Sequence, residues 1–157
     1  MAQALKPLSP HRGTLHPSEW SQQAVNVKVT YEDKVRFRAE ARGHQIVCDQ
    51  PESNKGENAG MTPPEFLLVS LGTCAGYYAV EYLRTRNLPT GGLEVTVDAA
   101  KATAPARLGE FKIVVHTPEL EQRHREGVMR AVKACLVHNT LLHAPHIAIE
   151  LETPVAA

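Results

Sequence analysis

The sequence is poor in aromatic residues and carries no excess of charge. Phe, Trp and Tyr make up 5% of its 157 residues, too few for a base-stacking platform. Its 17 basic residues are matched by 17 acidic ones, so it lacks the electrostatic footprint of a nucleic-acid or anionic-membrane binder. Long apolar runs are also missing: the longest nearly uncharged stretch, Phe66 to Val80, is fifteen residues, short for a bilayer. The first twenty residues show no basic segment followed by an apolar one, which argues against a signal peptide. With only three cysteines, a cytoplasmic setting is expected, where thiols stay reduced and a disulfide is transient. Neither nucleic acid nor membrane is expected as a partner.

What is present suits one compact domain. Residues 1–23, with Pro7, Pro10 and Pro17, read as an irregular arm, and residues 24–157 as a single domain. "VNVKVTY" from Val25 alternates apolar and polar residues and predicts a strand. "VRFRAEA" and "QIVCD" follow after short turns, giving an antiparallel meander. After a polar loop, "TPPE" at Thr62 to Glu65 is a capping-box pattern opening a long helix to about Arg86. "GLEVTVDAA" and "EFKIVVHT" predict a hairpin around Pro105. A second helix is expected from Thr117 and Pro118, with Leu120, Val128, Ala131, Val132 and Cys135 facing inward. "HIAIELE" closes the domain as a strand. The expectation is an α+β fold in the order β-β-β-α-β-β-α-β. The charge-poor first helix has more apolar surface than one small sheet covers, which predicts self-association.

The chemistry-bearing residues cluster in two places. Cys74 sits near the middle of the first helix, and Cys135 closes the stripe of the second. Either can be a small hydrophobe in the core. If the two act together, Cys74 is the attacking thiol and Cys135 the resolving one, because the carbonyls at a helix C-terminus disfavour a thiolate. Cys48, alternating with Ile46 on a strand, reads as packing. Cys135, His138, His143 and His146 supply four candidate zinc ligands within twelve residues, but lack the regular short spacing of structural zinc sites. Glu65 is explained by the capping box, and lies two and a half turns from Cys74 on a nearly opposite azimuth. Arg36, Arg38 and Arg42 are the cations available to a thiolate.

Two segments resemble the OsmC/Ohr family. "PPEFLLVSLGTCAGYYAVEYLRTRNL" is similar to its central-helix motif. "AVKACLVHNTLL" is similar to its second motif, A-x-x-C-P-V-H-x-T-L, with Leu136 where proline is common. The resemblance implies an OsmC-like intertwined homodimer with central helices and outer sheets, and metal-free, cysteine-based reduction of hydroperoxides. No cofactor is implied. An external dithiol is the expected reductant. Cys74 matches the peroxidatic cysteine, Cys135 the resolving one, and Glu65 the family's site glutamate. The well-studied branch carries an arginine in a Gly-Gly-Arg turn. Here "YEDKVRFR" stands in its place, so Arg38 is taken for that role beside Arg36 and Arg42. "ARGHQIVCDQP" resembles a less characterised branch. A metal-binding protein and a non-catalytic small-ligand-binding protein of the same fold are the alternatives.

Overall fold

In the computed structural model, residues 25–117 and 119–153 are described. The expected arm, residues 1–23, lies outside them, as does Pro118 at the expected start of the second helix. Strands β1 (Lys28–Asp33), β2 (Arg36–Ala41) and β3 (His44–Cys48) form the anticipated antiparallel meander. The β2–β3 turn places Arg42 at φ 51° and Gly43 at φ 81°. Two successive left-handed residues match the right-handed twist of the strands they join.

A loop then folds back on β3. Asp49, 1% exposed, organises it: Oδ2 accepts the Glu57 and Ala59 amides, both at 3.0 Å. The loop packs so closely that a Cβ on Gly56 would sit 1.9 Å from the Gln50 carbonyl oxygen. Only glycine fits there.

Helix α1 (Pro63–Arg84) starts where the capping-box pattern predicts. Glu65 Oε2 accepts from the Thr62 amide at 2.6 Å and from the Thr62 hydroxyl at 2.8 Å. The helix is long and apolar enough to cross a bilayer by length and composition, longer than the fifteen-residue uncharged stretch suggests. Its packing accounts for part of that composition. Leu71, Ala75, Ala79 and Leu83 are buried at an i, i+4 spacing, the signature of one inward face. Gly72 and Gly76 lie against the hairpin: Cβ atoms there would meet Val97 at 3.1 Å and Val95 at 3.5 Å.

That hairpin is β4 (Glu94–Thr103) with β5 (Ala106–His116). Helix α2 (Gln122–Lys133) follows, with Glu121 rather than Thr117 as its N-cap. Leu120, Val128 and Val132 join the α1 face in the core. Gly127 is buried in α2, and a Cβ on it would fall 1.9 Å from the Tyr82 hydroxyl. Tyr82 also meets His124 Nδ1 at 3.3 Å and lies under the Arg86 guanidinium, 3.8 Å from its ring centre.

Two expectations need correction. Cys135 does not end the second helix: α2 stops at Lys133 and a separate helix, α3 (Leu136–Leu142), begins beyond Cys135. "HIAIELE" does not form a strand in this chain: residues 144–153 take no regular structure, with Ile147, Ile149 and Leu151 exposed. Its alternation is correct for a strand, but a strand exists only with a paired edge, and the described residues give the segment none.

Candidate active site

Helices α1 and α3 pack together and bring together two residues 61 positions apart. Cys74 is half-buried, whereas Cys135 is 0% exposed. Both are free thiols. Cys135 is the N-cap of α3, and its Sγ accepts the His138 amide at 3.5 Å. The sequence reading put this thiol against carbonyls; it stands against amide donors at the positive end of a short helix.

The Cys135 thiol is pushed up from its ordinary value, first by burial and next by the neighbouring Cys74 thiol. The His138 and Val137 amides pull the other way. An opposing cation is absent from these influences. Cys135 is therefore a thiol that stays protonated until something removes the proton. Cys48 is also pushed up, by burial and then by Asp49, but it lies on β3 beside Met61.

The remaining expected site residues do not join the pair within one chain. Glu65 caps α1 at its far end, its carboxyl held below the usual range first by the Thr62 amide and then by the Thr62 hydroxyl. Arg38 is bound to Glu32. Arg36 bridges Glu32 at 3.3 Å and Glu57 at 3.0 Å. The main packing partners of α1 are α2, β4 and α3, not the sheet that carries these arginines.

The histidines do not converge on Cys135 as a metal site. Among the described residues no three His, Cys, Asp or Glu side chains group suitably for a metal ion, and His143 Nδ1 lies 3.0 Å from the Asn139 carbonyl. His138 differs from the others. Its Nδ1 is buried without a hydrogen-bond partner, a feature its position in the sequence could not reveal.

The fold and this pair can be set beside known proteins. The family described as OsmC-like protein matches residues 56–150. No curated protein matches the chain at a significant level. Among solved structures, it is similar to a Psychrobacter arcticus protein named for osmotic stress induction and a detoxification response. Identity is 24%, with 76% of this chain and 89% of that one covered and a TM-score of 0.69. An OsmC-like protein from Mycoplasma pneumoniae aligns at 21% identity, 78% and 90% coverage, and TM-score 0.64. An organic hydroperoxide resistance protein from Legionella pneumophila aligns at 15% identity, 78% and 92% coverage, and TM-score 0.57. With a family match spanning more than half its length and the α+β architecture in common, the chain belongs to the OsmC-like family of OsmC/Ohr proteins.

Proposed function

We propose that this protein is a thiol-dependent peroxidase that reduces organic hydroperoxides through Cys74 and Cys135, in a reducing, cytoplasmic setting. The observation that carries the reading is the packing of α1 on α3, which sets a half-buried thiol beside a fully buried one. The exposed member meets substrate, and the enclosed member waits. The Cys74 thiolate attacks the distal peroxide oxygen, the O–O bond breaks, and the alcohol leaves. Cys74 is then a sulfenic acid, which Cys135 condenses into a disulfide with loss of water. An external dithiol restores both thiols. Tyr77 and Tyr78, edge to face at 5.5 Å, with Phe66 and Leu67, supply apolar surface along α1 and favour organic hydroperoxides over hydrogen peroxide. Hydroperoxide resistance in the name of the Legionella pneumophila relative agrees with this substrate class.

The acting species in this reading is a homodimer. Tyr77 is 62% exposed, Leu136 69% and Leu142 65%, an apolar surface beside the thiols that a second copy would cover.

Single substitutions test the roles. Cys74→Ser abolishes peroxide consumption, because a neutral hydroxyl is a poor nucleophile. Cys135→Ser completes a first turnover, then holds Cys74 as a sulfenic acid that over-oxidises in excess peroxide. Equal, partial losses in both variants would overturn the assignment.

A further inference from the structure

His138 is the third residue of α3, and Cys135 is its N-cap. In a helix's first turn, the side chain at this third position folds back toward the N-cap residue, where a capping-box glutamate would accept the N-cap amide. That structural role is already filled here, since the Cys135 amide donates to the Val132 carbonyl at 3.0 Å. The His138 imidazole is left with Nδ1 buried and unpartnered, on a residue whose backbone amide touches the Cys135 sulfur at 3.5 Å. An enclosed polar atom without a partner is costly to a fold and calls for an explanation.

We propose that the His138 imidazole, through Nδ1, is the base that takes the Cys135 thiol proton as Cys135 closes on oxidised Cys74. The inference rests on the peroxidase reading and identifies the group its second step lacks. The hydrogen bond that the Cys135 sulfur accepts comes from the His138 amide, a donor and not a base. Yet the attacking species in disulfide formation is a thiolate. In the step, the Cys135 S–H bond breaks and its proton passes to Nδ1. The sulfur pair attacks Cys74, the S–S bond forms, and the S–O bond of the sulfenic acid breaks. The departing hydroxide recovers the proton and leaves as water. Cys135 sulfur is oxidised and Cys74 sulfur reduced, so no further oxidant is needed.

The test follows the two steps separately. Reduced protein is mixed with one equivalent of cumene hydroperoxide and quenched over time, and intact mass resolves sulfenic acid from disulfide. His138→Asn places a polar atom close to the Nδ1 position but is not a base, and His138→Gln serves as a second variant. In both, sulfenic acid forms at the wild-type rate while closure at pH 7 slows about 100-fold, the scale of a lost general base. Variant closure then climbs about tenfold per pH unit, as Cys135 ionises unaided, and converges on the wild type in alkali. Variant closure within about twofold of wild type at pH 7, or slowed by one constant factor at every pH, would overturn the inference. Wild-type protein alone gives a second reading: its closure should change less than about threefold from pH 7 to 9, and a tenfold climb per unit refutes the base. Wild-type protein that forms no sulfenic acid on Cys74 removes the peroxidase reading itself. Normal closure in both wild type and variants removes only the role of His138.

Discussion

The Asp49 carboxylate is enclosed, with Oδ2 holding two amides and Oδ1 buried and unpartnered. Its carboxyl is held below the usual carboxylate range, first by the Ala59 amide and also by the Gln50 and Glu57 amides and the Arg36 charge, against an opposing effect of burial. A lowered folded value means that the unfolded chain takes up the proton first. The stabilisation is therefore complete above the ordinary aspartate value of about 3.9 and is lost as pH falls through the lower folded value. Asp49→Asn should lower Tm by several degrees at pH 7, and thermal melts from pH 6 to 2 should show that gap narrowing below about pH 4. A gap independent of pH would show that ionised Asp49 does not hold the loop. None of this was legible in "QIVCDQP", where Asp49 reads as the polar end of a strand. Its bonding partners are eight and ten residues further on. Cys74 and Cys135, by contrast, were identifiable as a candidate pair from residue type, while their contact needed the packing of α1 on α3.

At the scale of elements, the strands and α1 were legible because their causes are local. Alternation marks the meander and the hairpin, and Thr62 to Glu65 marks the helix start. The break between α2 and α3 was not legible. A proline at the first position of a helix fits there, since its missing N–H has no helical partner to lose, and it announces the start. Leu136 occupies that position here, so the periodic stripe from Leu120 to Cys135 reads as one continuous helix. Gly127 was missed for a different reason: glycine inside a helix looks like a local cost, and its justification, the Tyr82 ring, is 45 residues away. Gly127→Ala forces a Cβ into that ring and should destabilise the protein by about 1–3 kcal/mol in urea unfolding. Combined with Tyr82→Ala, the two losses should sum to less than additively, because the second change vacates the space the first requires. Additive losses would place the cost of the alanine elsewhere. Leu83→Ala, emptying a fully buried site beside Val128 and Val132, should cost about 2–5 kcal/mol.

At the scale of the whole molecule, the single chain leaves too much apolar surface in water. Ile147, Ile149 and Leu151 are between 75% and 92% exposed on a segment patterned as a strand, and Val29, Tyr31 and Ile46 are exposed on the three-stranded sheet. The homodimer proposed above accounts for both. Sedimentation at micromolar concentration should give a species of twice the 17.2 kDa chain mass, and a monomer there would contradict it. The α+β architecture was legible in the order of its elements. What the pattern of one chain does not contain is the partner edge for "HIAIELE", because pairing is a property of two strands and alternation belongs to one.

The central claim is that Cys74 and Cys135 form a redox pair, and the thiol balance of the oxidised wild-type protein tests it most directly. Of its three cysteines, treatment with one equivalent of an organic hydroperoxide should consume Cys74 and Cys135 and leave Cys48 free to alkylate. Peptide mapping should recover a Cys74–Cys135 disulfide, which dithiol reverses. Oxidation spread evenly over all three cysteines, or a Cys74–Cys135 disulfide that never forms under mild oxidation, would contradict the account.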